Sequence, residues 1–166
     1  MRFFAVQGEV HITLNLELMK GKVKMMQSKQ YLKQAYRVNE LIQCNQKELV
    51  ELRLLVDTIP GIDYSKDKIQ TSASNDAGYT RTIEKIIELE DAIKKDIEKL
   101  VSLKLEIRNV IDTVQDNEER LVLKLRYLNF LTWENICYEM SVSMKTAHRI
   151  HGVALTHVEV PESKNL

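Results

Sequence analysis

Apolar positions along the chain follow two different periods. From Val10 to Leu18 they alternate with polar ones: Val10, Ile12, Leu14, Leu16 and Leu18 stand against Glu9, His11, Thr13, Asn15 and Glu17, the period of a strand. From Ser28 the steps become three and four. Leu32, Ala35, Val38, Ile42, Leu49, Leu52, Val56 and Ile59 predict a long helix over Ser28–Ile59, which Pro60-Gly61 ends. Asn45 and Gln46 fall where another apolar residue is due, and polar residues in such a seam fix register or partner number at some cost in stability. Residues 60–78 are rich in Ser, Asp, Lys and Asn and read as a surface connection. A second long helix follows over Tyr79–Val114, about 54 Å at ~1.5 Å per residue. Its stripe is nearly unbroken: Ile83, Ile86, Leu89, Ile93, Ile97, Leu100, Leu103, Ile107, Val110 and Val114. Two stripes this apolar have to meet something, and the connection is long enough for them to fold back on each other.

The same steps of three and four return in shorter helices. Glu118–Leu128 sets Leu121, Leu125 and Leu128 on one side and Arg120, Lys124 and Arg126 on the other. Thr132 stands where an N-cap is needed for Trp133–Met140, whose Trp133, Ile136, Cys137 and Met140 face inward. Ser141-Val142-Ser143 is a tight turn, with Val142 plugging the corner, and Ser143 caps a last helix from Met144 to about Val158. Ala147, Ile150, Ala154 and Val158 share its inner face; Lys145, Arg149, Gly152 and Thr156 point away. His148 lies on the outward side and His151 at the core boundary. Val160-Pro161 then stops the helix.

The expected architecture is all-α: a long antiparallel, coiled-coil-like helical hairpin over 26–114 with its loop at 60–78, a three-helix helix-turn-helix over 115–158, and a tail over 159–166. Residues 1–25 do not match the rest. Lys20-Gly21-Lys22-Val23-Lys24 before Met25-Met26 is what a purine-rich ribosome-binding site encodes when read in frame, so the expectation is an extension that is disordered or not translated, with translation starting at Met25 or Met26.

The outward face of the last helix carries the chemistry of a duplex reader. Lys145 and Arg149 can donate to guanine edges or phosphates, His148 to either, and Ser143 or Thr146 can hold a flanking phosphate. Gly152 costs about 1 kcal/mol relative to alanine in a helix interior, which close approach of DNA or of another helix would offset.

The run LVLKLRYLNFLTWENICYEMSVSMKTAHRIHGVAL, residues 121–155, resembles region 4 of the sigma-70 family. With the helical hairpin, the Ile69–Ser72 segment and the Thr132–Ile136 box, the wider chain is similar to small sigma-like, ArpU-type transcriptional regulators of phages and prophages of Gram-positive bacteria. The resemblance implies promoter-proximal binding to double-stranded DNA in company with host RNA polymerase. It also places Met144, Lys145, His148 and Arg149 where region 4 meets its promoter element. Phe130 stands in place of the family's loop glycine, which leaves Asn129 to take the left-handed conformation. Met144 and His148 stand where arginine is common, so the base preference does not carry over. No counterpart of the promoter-melting regions is visible, so the resemblance implies a region-4-like reader and not a complete sigma factor.

Charge adds a condition. The 166 residues hold 24 Lys plus Arg and 24 Asp plus Glu, so there is no global attraction to phosphate, and a reader of this kind needs delivery by a partner or a homodimer. The two cysteines, Cys44 and Cys137, match no metal or redox spacing, and the grouping of Cys137, His148 and His151 fits no standard zinc pattern. No cofactor, no metal and no small-molecule substrate is expected. Gly-rich phosphate loops, His-Glu-x-x-His and recognisable nucleophile settings are absent, so the chain does not read as an enzyme. No membrane span or signal-peptide layout is visible, and a cytoplasmic place in the bacterial host follows. Two other readings stay open: the DNA-recognition subunit of a phage packaging terminase, and a coiled-coil adaptor that touches no nucleic acid.

Overall fold

The computed structural model describes residues 19–58 and 73–161, and every regular element among them is a helix. Helical residues 19–32 pass through a turn at Lys33 into α1 (Gln34–Thr58). Then come α2 (Ala73–Asp112), α3 (Asn117–Tyr127), α4 (Trp133–Met140) and α5 (Met144–His157). None of the described helices is long and apolar enough to cross a membrane. The Val10–Leu18 alternation, the connection from Ile59 to Ser72 and the tail after Pro161 lie outside the described residues.

Two boundaries differ from expectation. Residues 19–25, ahead of the expected helix start at Ser28, are already helical, and the buried Ser28 donates its hydroxyl to the Lys24 carbonyl at 3.0 Å. α2 begins at Ala73 instead of Tyr79, so its 40 residues run about 60 Å at ~1.5 Å each. The added turn, Ala73-Ser74-Asn75-Asp76-Ala77-Gly78, has no apolar period to announce it; once a helix is nucleated, each further residue is cheap to add.

The chain divides into two compact units: a middle unit, Arg37–Val101, and a terminal unit of Met1–Tyr36 with Ser102–Leu166. In the middle unit, Val38 and Ile42 of α1 and Ile86 and Ile93 of α2 are buried, while Asn45, Leu49, Leu52 and Val56 continue the α1 stripe half-buried. The α2 stripe departs from its expected course. It follows 86, 89, 93, 96 and 100, so Asp96 is half-buried and Ile97, one position further round, is 42 % exposed. Arg53 Nη2 donates to Glu90 Oε1 at 2.6 Å, an exposed pair of the kind that contributes about 0.2–1 kcal/mol.

The terminal unit is packed more tightly. Leu32, Ile107, Ile111, Val114, Val122, Leu123, Ile136 and Val158 are all fully buried, each side chain contributing about 1.5–3 kcal/mol of apolar transfer. The division therefore does not fall at the expected joint, Gln115–Asn117. Leu32 and Ala35 before Tyr36, and Ile107, Val110, Ile111 and Val114 after Ser102, belong with the three short helices because they are buried in that unit's core.

α3 also buries a different face from the expected one. Leu125 and Leu128 are inside, but Leu121 is 40 % exposed, and Val122, Leu123 and Tyr127 take the interior. The helix touches both α4 and α5, which requires a wider apolar face than a single stripe.

The loop after α3 holds another correction. Phe130 itself, not Asn129, is left-handed, at φ 58°. That conformation costs a non-glycine residue about 1–2 kcal/mol. The ring's own contacts offset it: Tyr36 meets it edge-on at 5.7 Å between centroids, and Lys104 Nζ sits 4.5 Å above it.

Candidate nucleic-acid interface

α3, α4 and α5 contact one another pairwise, and side-chain caps fix where each begins. Asp116 accepts from the Glu119 N–H at 2.9 Å, Thr132 from Asn135 at 3.4 Å, and Ser143 from Thr146 at 3.2 Å. Thr132 and Ser143 thus cap the helices that the sequence assigns to them.

The turn between α4 and α5 is a Schellman motif. Ser141 is left-handed at φ 53°, its N–H reaches the Tyr138 carbonyl at 3.2 Å, and the Val142 N–H reaches that of Cys137 at 3.1 Å. Three residues thereby join α4 to α5, whose first residues, Met144 and Lys145, are exposed. Val142 is half-buried in the corner. α3 is closed by the Leu128 and Asn129 N–H groups on the Lys124 carbonyl and by the Leu131 N–H on that of Leu125, and Arg126 Nη1 donates to the Leu131 carbonyl at 2.7 Å to hold the loop.

α5 buries Ala147, His151, Ala154 and Leu155, with Val158 behind them. Ile150, expected with this set, is half-buried. His151 lies inside the core boundary where the sequence put it on the edge. Its Nε2 is 2.9 Å from the Tyr127 hydroxyl, and the two rings stack at 5.7 Å. Burial lowers the His151 pKa to about 4, helped by the nearby positive charges of Lys29, Arg126 and His148. Burial likewise raises Tyr127 to about 12. The pair is therefore a neutral hydrogen bond at pH 7. At the far end of α5, His157 Nδ1 is 2.6 Å from Oε2 of the buried Glu119, tying α5 to α3.

On the other side of α5, Lys145 and Arg149 are exposed one turn apart and make no ion pair or hydrogen bond among the described residues. Ser143 and Thr146 are joined to each other, hydroxyl to hydroxyl, at 2.9 Å. Met144 is 40 % exposed, with its Sδ 3.9 Å from Cys137 Sγ. His148 is exposed but not loose: its ring lies 4.0 Å from Trp133, which also meets His151 edge-on at 5.1 Å and carries Arg126 above it at 5.1 Å. Gly152 is half-buried, yet a Cβ added there would meet nothing within 4 Å. No described helix therefore requires glycine at that position.

Arg126 and Trp133 are the residues that spacing alone does not assign to this face. By spacing, Arg126 belongs to the polar side of α3 and Trp133 to the inward side of α4. Trp133, expected inward with Cys137 and Met140, is like them half-buried.

The helix ends differ in charge. α3 begins with Glu118 and Glu119 and α4 with Glu134, whose carboxyl is held below its usual range by its own backbone N–H and the Thr132 hydroxyl. α5 has no acidic residue in its first turn, so the positive end of its dipole is uncompensated where Lys145 stands, one turn before Arg149. What the face can do chemically is donate: two free cations, a ring-pinned imidazole, hydroxyls and open helix N–H groups all point to an anionic ligand.

Comparison with curated proteins and with solved structures gives no match. A family pattern does match residues 58–159, from the end of α1 through α2 and all three helices of the helix-turn-helix. The chain belongs to that family, whose description is "Protein of unknown function (DUF1492)".

Proposed function

We propose that the protein is a sequence-specific DNA-binding transcriptional regulator of phage genes, acting in the cytoplasm of the bacterial host in company with its RNA polymerase, and not an enzyme. α5 enters the major groove, Lys145 and Arg149 contact bases and phosphates, and Ser143 and Thr146 hold the flanking backbone. The observation that carries this reading is the outward, unpaired Lys145 and Arg149 on a helix whose first turn lacks any acid. His148 reads from a fixed position because Trp133 holds its ring, which limits the entropy lost on binding.

The test starts by selecting bound fragments from sheared phage and host DNA, then titrating the recovered site by fluorescence anisotropy. Lys145→Ala and Arg149→Ala should each weaken binding about tenfold or more, and the loss of a phosphate contact should lower the salt slope by about one. Helical content should stay unchanged in both. Variants that bind the selected site as tightly as the parent would sink the assignment of α5 as reader, and absence of any salt-dependent DNA association would leave an adaptor role.

A further inference from the structure

α2 carries two apolar seams. The first is the buried one through Ile86 and Ile93. The second runs through Ile83, Ile87, Glu90, Lys94, Ile97 and Val101, with steps of four, three, four, three and four, and is largely uncovered: Ile87 is 54 %, Ile97 42 % and Val101 55 % exposed. A heptad-spaced stripe of this kind packs against another helix, and a helix with two adjacent seams has two helical neighbours. Among the described residues Ile83 is half-buried and Arg53 of α1 meets Glu90, while the other positions of the second seam stay exposed.

The order of residues along that seam names the occupant. Read from either end, the positions mirror about a point midway between Glu90 and Lys94. If a second α2 lies antiparallel across it on a two-fold axis at that point, Ile87 faces Ile97, Ile83 faces Val101, and Glu90 faces Lys94, each pair occurring twice. This is the self-complementarity that an isologous interface demands. A parallel copy would instead oppose Glu90 to Glu90 and Lys94 to Lys94, which disfavours that arrangement. The Arg53–Glu90 bridge marks the side of α1 that borders the seam, and there Val50 and Leu54 are 55 % and 59 % exposed, which broadens the apolar surface.

We propose that this face of the middle unit binds a second copy of the chain, with the two α2 helices antiparallel about the Glu90–Lys94 midpoint. The association does not depend on what α5 binds. Sedimentation equilibrium of the full chain over about 1–100 µM should give twice the 19.3 kDa chain mass at the upper end. Lys94→Glu leaves the Arg53–Glu90 pair intact but sets acid against acid twice, and Glu90→Lys sets base against base twice. Each should weaken self-association about tenfold or more with unchanged circular dichroism. Mixed together, the two variants restore both complementary pairs and should form a heterodimer as tight as the parent. A chain that stays monomeric throughout, variants that self-associate as tightly as the parent, or a mixture no tighter than its components would each overturn the proposal.

Discussion

The two units solve the same problem, burying apolar helix faces, to very different extents. The terminal unit is finished: eight large apolar side chains are fully buried, each helix start is capped, and no buried side-chain polar atom among the described residues lacks a partner. The middle unit is unfinished. Its buried residues, Val38, Ile42, Ile86 and Ile93, keep 6–8 % of their surface exposed, while Leu41, Val50, Leu54, Leu55, Ile87 and Val101 remain more than half in water. A surface of that kind is normally covered by something. The contrast suggests a division of labour: one unit has its apolar faces buried and a polar face outward, whereas the other leaves in water the apolar face that we propose binds a second copy.

The sharpest way to break this contrast is to delete comparable side chains from each unit. Leu123→Ala or Ile136→Ala should cost about 2–5 kcal/mol, because both are fully buried and the neighbours can only partly collapse into the hole. Ile87→Ala, at a concentration where the chain is monomeric, should stay within about 0.5 kcal/mol, as expected of an exposed site. Urea unfolding followed by circular dichroism measures both. Equal losses would mean that the seam on α2 is already covered within one chain, and the division of labour would fail with it.

Acid should separate the units next. His151 is neutral in the fold, with its pKa at about 4 against the ordinary 6.5 of a free imidazole, so the unfolded chain takes up the proton first. The stability that this residue contributes is intact above pH 6.5, falls as the pH drops below it, and is fully lost near pH 4. The loss is about 2 kcal/mol by pH 5 and about 3 kcal/mol in all. All four histidines, at 11, 148, 151 and 157, lie outside the middle unit. Fluorescence of the single tryptophan, Trp133, reports on the terminal unit directly, since that ring touches both His148 and His151. His151→Gln should flatten the slope between pH 6.5 and 5; an unchanged slope would place the acid-sensitive contact elsewhere.

How far the sequence foretold each unit follows from what periodicity can carry. Steps of three and four gave the helices, and hydroxyl residues before apolar runs gave the caps at Thr132 and Ser143, because both signals are local. Registers across the fold were not legible. Leu121 and Val122 are equally apolar neighbours, and only the simultaneous contact of α3 with α4 and α5 decides that Val122 goes inside. Ile97 and Asp96 pose the same choice on α2, and there the polar residue sits nearer the buried stripe. Phe130 is the clearest failure of local rules. Its backbone conformation favours glycine or asparagine, yet the compensating contacts come from Tyr36 and Lys104, which are distant in sequence. At the candidate interface, outward placement of Lys145, His148 and Arg149 was readable from helix rotation. The pinning of His148 by Trp133 was not, since it depends on where α4 crosses α5.

Gly152 offers the finest test of whether the polar face of the terminal unit is a contact surface at all. Inside a helix, glycine is about 0.8–1.0 kcal/mol less favourable than alanine. With nothing within 4 Å of an added Cβ, the Gly152→Ala change meets no opposing clash and should raise stability by about that amount in urea unfolding. The same methyl group projects into the space that the α5 backbone leaves open beyond Arg149. If DNA approaches that backbone closely, the more stable variant should bind the selected site about tenfold more weakly, a gain in folding coupled to a loss in binding. Unchanged affinity would remove Gly152 from the contact surface and confine the interface to the first two turns of α5, where Lys145 and Arg149 can still be tested independently.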